Sequence, residues 1–190
     1  MLEKIPSGIG HALRGVRAGY EKIVAEDDFG DIADTIPLES EAFDDGESIP
    51  PRYTADGERI SPPLRWRALP PGTEGLVLIV EDPDAPGAEP LVHLLAWDLP
   101  PAMETLPEGE FRSPGHRGLD ENLGRNSYLQ TAWLPPDPPS GHGPHLYCFQ
   151  LFALSKKLDF AHAPGRKAVV QAMRGHVLAK GVLVGTYERV

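Results

Sequence analysis

Residues 76–80 of this chain read Leu-Val-Leu-Ile-Val, and after Glu81 the sequence continues as Asp-Pro-Asp-Ala-Pro-Gly at residues 82–87. A short branched apolar run bounded by proline and glycine is typical of a strand that is buried on both faces. Each X-Pro step favours extended backbone in the preceding residue, so the acidic loop is stiff. We therefore predict a central strand that ends at a rigid loop, where ligand-binding groups often lie.

A second junction of this kind lies at residues 141–154. The loop Gly-His-Gly-Pro-His at residues 141–145 precedes the apolar run Cys-Phe-Gln-Leu-Phe-Ala-Leu at residues 148–154. The glycines allow backbone N–H groups to approach a ligand closely. If the two central strands are neighbours, the aspartates of the first loop and the histidines of the second converge on one pocket.

The chain from residue 37 onward has the pattern of short strands separated by polar turns. Pairs such as Asp-Gly and Pro-Pro recur between short apolar segments, which favours a sandwich or a barrel-like sheet. We predict a mainly β fold. The clearest predicted strands cover residues 64–67, 75–81, 91–98, 145–154 and 182–187.

Two segments have helical periodicity instead. Apolar residues over 5–24 recur at spacings of three and four, which predicts an N-terminal helix with one apolar stripe, and an acidic loop follows at 26–31. The pattern over 166–180 predicts a second helix near the C-terminus. We divide the chain into an extension at 1–34 and a β domain at 35–190. The stripe either packs on this domain or docks a second copy of the chain or another partner.

Composition narrows the classes of partner. The 190 residues carry a formal net charge of −10, which repels nucleic acid and anionic membranes. We find no apolar run of about 18 residues that would span a membrane and no uninterrupted apolar segment typical of a signal peptide, so we expect a cytoplasmic protein. The single cysteine, Cys148, lies in a predicted core strand and is expected to be buried and unreactive.

Three of the seven histidines lie where they could contribute to a site: His93, His142 and His145. His93 interrupts an apolar strand, where a buried imidazole must be hydrogen-bonded, and Asp82 on the preceding strand could orient it. Two imidazoles and loop N–H groups suit a phosphate or a carboxylate, and the acids could also receive an ammonium group. We predict a site for a small anion, with no metal, no cofactor and no catalytic residue.

These motifs resemble the two signature regions of the phosphatidylethanolamine-binding protein family, also called Raf-kinase-inhibitor-like, and in particular its prokaryotic YbhB/YbcL-type branch. The first signature is Asp-Pro-Asp-x-Pro at 82–86, and the second, Gly-x-Gly-x-His-Arg-Tyr, corresponds to 141–147. Further agreement covers residues 49–66 and 185–187. The resemblance spans about residues 38–188.

The resemblance implies a β-sandwich with a few peripheral helices and a small anion pocket near one end. It places the pocket at Asp82, Asp84, His93, Pro139 and His145, with His142, Tyr147 and Trp133 as additional candidates. In this sequence Leu146 replaces the arginine of the second signature, which removes a charge that helps to brace the loop. Residues 124–139 also depart from the family's more glycine-rich stretch, so we expect a bulkier pocket wall.

Two other function classes stay open. Aspartate and histidine are suitable metal ligands, so a metal-assisted or Asp/His hydrolase is one alternative, although the sequence has neither a His-x-x-x-His pair nor a Gly-x-Ser-x-Gly turn. The other alternative is a protein-interaction module that docks through the N-terminal helix, as a homodimer or with another protein.

Overall fold

The computed structural model describes residues 12–13, 15–112 and 122–189. Its seven strands form two antiparallel sheets. The smaller sheet has the order β1-β2-β5, and the larger has the order β4-β3-β6-β7. The strands are β1 (Leu38–Glu39), β2 (Leu64–Trp66), β3 (Gly75–Asp82), β4 (Leu91–Leu99), β5 (Thr105–Leu106), β6 (His145–Leu154) and β7 (Val177–Tyr187).

The larger sheet is covered on both faces, which explains its continuous apolar runs. Residues of β3 alternate between two cores. Leu76, Leu78 and Val80 lie in the first core, which faces the smaller sheet, whereas Val77 and Ile79 lie in the second core, which faces the helices. Every residue of β3 is buried. The predicted central strands at 75–81 and 145–154 are confirmed within one residue, and the mainly β fold class is confirmed with them.

The helical segments of the described chain are short. They are α1 (Val24–Asp27) and α2 (Arg166–Met173), with 3-10 turns at Tyr20–Lys22 and Pro51–Tyr53. Val169, Val170 and Met173 of α2 pack into the second core. None of the helices in this part of the chain is long and apolar enough to cross a membrane.

The predicted helix at 166–180 is too long. The α-helix ends at Met173, and Gly175 then adopts a left-handed backbone with φ of 76°. From Val177 onward the chain pairs with β6 along almost its whole length. The sheet pairing therefore overrides the helical spacing of residues 177–180, and the last strand begins five residues before the predicted position.

The predicted helix at 5–24 falls partly outside the described residues, which begin with Ala12 and Leu13 in helical backbone. Residues 16–19 have no helical structure, and residues 20–22 form a 3-10 turn. Gly19, with φ of 109°, interrupts any continuous helix here. The prediction is therefore wrong for residues 15–23. The boundary between an extension and a β domain at residue 34 stays a prediction.

Residues 23–29 are an integral part of the second core. Ile23, Val24 and Ala25 are fully buried, and Phe29 contacts Phe152 of β6 with ring centroids 5.5 Å apart. The backbone N–H of Val24 donates to Glu81, and that of Ala25 donates to Gln150, at 2.8 and 2.7 Å. The predicted acidic loop at 26–31 thus contains the end of α1 and a buried phenylalanine.

Candidate functional site

The ends of β3 and β6 bring the two signature loops together. The strands pair antiparallel, so Asp82 at the end of β3 lies next to the start of β6. The Asp82 carboxylate accepts a hydrogen bond of 2.7 Å from Nδ1 of His145. Its other oxygen accepts from the backbone N–H groups of Asp84 and Ala85, at 2.8 and 2.9 Å. Asp82 therefore closes its own loop and orients His145.

The second nitrogen of His145 is also occupied. Its Nε2 lies 2.7 Å from Nδ1 of His142, and Nε2 of His142 lies 2.8 Å from the carbonyl oxygen of Leu13. Both imidazoles are fully buried. The side chains thus form one chain of hydrogen bonds that runs from the Asp82 carboxylate to the backbone of Leu13.

The groups at the two ends of this hydrogen-bonded chain determine how many protons it needs. A carboxylate and a carbonyl oxygen can only accept, so Nδ1 of His145 and Nε2 of His142 must both donate. The bond between the rings needs a third proton, one more than two neutral imidazoles carry. Burial lowers the pKa of His142, and the charges of His145 and Arg17 lower it further, whereas the bond to the Leu13 carbonyl and the Asp82 carboxylate raise it. The complete chain of bonds is therefore favoured as pH falls.

His93 presents a different arrangement. The β3–β4 register passes from the pair Val80–Leu94 to the pair Glu81–Val92, so His93 is the extra residue of a β-bulge. Bulges redirect side chains and are common beside functional sites. Nδ1 of His93 lies 2.6 Å from the carbonyl oxygen of Leu134, and this nitrogen must donate because the carbonyl can only accept.

The other nitrogen of His93 is an unusual atom of the site. Nε2 is buried and has no hydrogen-bond partner among the described residues. Burial lowers the pKa of His93, and the charge of His145 lowers it too, although the Asp82 carboxylate and the bond to Leu134 act in the opposite direction. A buried polar atom without a partner costs stability unless a ligand or water completes it.

Aromatic side chains pack against His93. The ring of Tyr147 lies edge-on to it with centroids 5.2 Å apart, and Trp133 lies 6.4 Å away and stacks on Phe149. Burial raises the pKa of Tyr147 far above its usual range, and the Asp82 carboxylate adds to this effect. These bulky rings exclude water, which strengthens electrostatic interactions at the site.

Asp84 is held by two different parts of the chain. One carboxylate oxygen accepts from the backbone N–H of Leu146 at 2.8 Å, and the other forms an ion pair with Arg17. The same guanidinium donates to the carbonyl oxygen of Pro144 at 3.3 Å. The side chain of Leu146 instead packs against the second core. A cation from the N-terminal segment therefore neutralises Asp84 and links both signature loops.

Arg189, which lies outside every sequence motif, braces the proline-rich loop before residue 141. Its guanidinium donates to Asp137 at 2.7 Å and to Asp56 at 2.8 and 2.9 Å. Pro139 contributes its carbonyl oxygen, which accepts from the backbone N–H of His142 at 3.1 Å. Pro139 thus helps to fix the loop that carries His142.

The structure places the predicted site residues as follows. Asp82, His145 and His142 are joined by hydrogen bonds, Asp84 adjoins them, and His93 contacts Tyr147 and Trp133. The expectation that Asp82 orients His93 is wrong, because Leu134 takes that role and Asp82 bonds His145. Arg17 and Leu13 were missed because their side chain and carbonyl reach the site from a distant segment without any motif.

In the part of the chain that the structure describes, no three His, Cys, Asp or Glu side chains are arranged to hold a metal ion. Cys148 is fully buried, and burial strongly raises the pKa of its thiol, as expected for an unreactive core cysteine.

Comparisons with known proteins agree with the motifs. Residues 39–188 match a family model described as phosphatidylethanolamine-binding protein. A UPF0098 protein of Pyrococcus horikoshii is 40% identical over 154 residues, which cover 79% of this chain and 75% of that protein. A UPF0098 protein of Methanothermobacter thermautotrophicus is 39% identical over 152 residues, 80% of this chain and 98% of that protein.

Solved structures with the same architecture are known. A crystal structure described as a phosphatidylethanolamine-binding protein homolog from Chlamydia trachomatis is 33% identical with a TM-score of 0.74, covering 83% of this chain and all of that one (100%). Escherichia coli YbcL has a TM-score of 0.74 at 24% identity and covers 82% of this chain and 99% of its own, a similarity of fold.

Proposed function

The chain belongs to the phosphatidylethanolamine-binding protein family, and from this premise we propose that the ends of β3, β4 and β6 bind a small phosphate or carboxylate group without chemical turnover. One observation carries the proposal: Nε2 of His93 is buried, lacks a partner among the described residues, and lies on a bulge beside the Asp82–His145 pair.

The chemistry of His93 suits an anion. Because Nδ1 already donates to Leu134, the neutral ring presents a lone pair at Nε2. Protonation converts this nitrogen into a charged donor, and an anion oxygen would stabilise that form. Anion binding therefore draws a proton onto His93 and raises its pKa from the depressed value in the free protein.

The acidic residues make one edge of the site suitable for a cation. Asp82 and Asp84 are buried carboxylates at one edge of the site, and Asp84 is paired with the guanidinium of Arg17. A ligand ammonium could replace the guanidinium of Arg17 as the partner of Asp84. A phosphate joined to a nearby amine thus matches both halves of the site, and phosphoethanolamine is a suitable probe.

The proposal is tested by calorimetric titration with phosphoethanolamine and with inorganic phosphate. We expect His93→Gln to weaken binding of both at least about tenfold, because one charge-assisted hydrogen bond is lost. His162→Gln is the matched control, since His162 is exposed in a loop. Equal affinity of His93→Gln and wild type would contradict the proposal. Release of inorganic phosphate from phosphoethanolamine would favour the hydrolase alternative instead.

A further inference from the structure

The N-terminal segment crosses both signature loops. We call Leu13 together with residues 15–22 the strap. On one side the N–H of Gly19 donates to the carbonyl of Pro83 at 3.0 Å, and Lys22 donates to Ala88 at 3.2 Å. On the other side Leu13 accepts from His142 at 2.8 Å. Arg17 contacts Asp84 of the first loop and Pro144 of the second.

These contacts are polar, and little apolar surface holds the strap down. Of its described residues only Ala18 is buried, while Val16 and Tyr20 are 47% and 40% exposed. The chain becomes firmly anchored immediately afterwards, because Ile23, Val24 and Ala25 are fully buried. Segments with few buried apolar contacts open locally at low free-energy cost. The strap can therefore detach about an anchor at residue 23 while the core stays folded.

The docked strap also occupies polar groups that a ligand would use. Its Leu13 carbonyl holds His142, and His142 in turn covers Nε2 of His145. Its Arg17 guanidinium neutralises Asp84, where an ammonium would bind. The strap thus offers the site a cation, as an amine-bearing phosphate would.

We propose that the strap is a built-in competitor that closes the anion site until a ligand with both a phosphate and an amine displaces it. This inference rests on the proposed function, because it concerns access to the same site. A protein whose open form is a minor fraction binds its ligand more weakly by that fraction. The strap would therefore lower the apparent affinity and favour zwitterionic ligands over simple anions.

The test compares two full-length variants that each remove one strap cation. Arg17→Ala frees Asp84, whereas Lys22→Ala removes an exposed contact away from the carboxylates. If the strap is docked in nine of ten molecules, we expect Arg17→Ala to bind phosphoethanolamine about tenfold more tightly than wild type. Lys22→Ala should change the affinity less than about twofold. Inorganic phosphate should gain less in Arg17→Ala, because the freed Asp84 carboxylate repels it.

Hydrogen exchange of the wild type provides a second measurement that does not depend on any variant. Saturating phosphoethanolamine should speed exchange in residues 15–22, because Gly19 loses its bond to Pro83. Val24 and Ala25 should stay protected, because their N–H groups donate to Glu81 and Gln150. If wild type binds phosphoethanolamine but Arg17→Ala binds it no better than Lys22→Ala does, the strap is not a competitor and the proposed function stands. If Arg17→Ala fails to fold, unchanged exchange on binding overturns the inference. If no variant binds either probe, both proposals fail.

Discussion

Asp82 and His145 are 63 positions apart in the sequence, yet a hydrogen bond of 2.7 Å joins the carboxylate to the imidazole in the interior of the fold. The antiparallel pairing of β3 with β6 creates this contact, because each residue lies at the end of its strand that faces the same edge of the sheet. The pair links the two signature loops.

Replacing Asp82 should destabilise the protein in two distinguishable steps. Asp82→Asn keeps an oxygen for the N–H groups of Asp84 and Ala85 but removes the charge that faces His145, and Asp82→Ala removes both. Loss of the charge-assisted hydrogen bond to His145 costs about 2 kcal/mol, and loss of the loop bonds adds about 1 kcal/mol. Urea unfolding measures both variants. An Asp82→Ala variant within about 1 kcal/mol of wild type would contradict this account.

His93 should make the protein less stable in acid. Its pKa in the folded protein is lowered by burial, so the unfolded state binds a proton first as pH falls. Its contribution to stability is complete above about pH 6.5, the usual histidine value, and is lost as pH falls through the depressed folded value. Between about pH 7.5 and pH 4.5, the free energy of unfolding should fall less for His93→Gln than for wild type. Parallel pH profiles for the two proteins would show that His93 is not the titrating group.

The buried carboxylate on the opposite face of β3 should matter more than an exposed one with the same type of partner. Glu81 is fully buried and accepts from Arg166 at 2.7 Å, from Gln150 at 2.8 Å and from the backbone of Val24 at 2.8 Å. Glu81→Gln should cost about 3 kcal/mol of unfolding free energy, because the fully buried carboxylate no longer balances the charge of the half-buried Arg166.

Glu39→Gln is the matched control for that substitution. Glu39 accepts from Arg65 at 2.9 Å on an exposed surface, so its loss should cost less than about 0.5 kcal/mol. Chemical denaturation gives both values. Similar costs for the two variants would mean that burial does not decide the strength of these pairs.

Gly181 should not tolerate a methyl group. A Cβ at this position would lie 2.1 Å from the carbonyl oxygen of Ile36, a backbone atom that cannot move freely. Gly181→Ala should therefore destabilise the protein by about 2–3 kcal/mol. Gly165→Ala is the control, since nothing lies within 4 Å of a Cβ there. Thermal unfolding compares them, and equal melting temperatures would contradict the close approach.

The sequence predicted the larger sheet well because burial on both faces leaves an unmistakable apolar run. β3 and β6 match the predicted strands, and their pairing places Asp82 beside the second signature loop, as a convergence of the two loops requires. The short strands β1 and β5, with two residues each, carry too few residues to show a period.

Other features depend on contacts that no local pattern contains. Gly181 has the pattern of a helix terminator in the sequence but lies inside β7, where it allows the backbone of Ile36 to approach. Arg17 has the pattern of the polar face of a helix but reaches Asp84 from a nonhelical segment. The sequence identifies the imidazoles of the site, but only the tertiary structure shows which nitrogen of each ring is hydrogen-bonded.

The central claim concerns one atom, Nε2 of His93, and nitrogen NMR of the imidazole rings tests it most directly. The protein is labelled with ¹⁵N-histidine, the His93 signals are assigned with His93→Gln, and sulfate is added, since sulfate keeps its charge across the pH range in which histidine titrates. We predict that sulfate moves the Nε2 signal of His93 from the unprotonated to the protonated position and raises the pKa of His93. Nε2 signals that stay unchanged at saturating sulfate, phosphate and phosphoethanolamine would contradict the account.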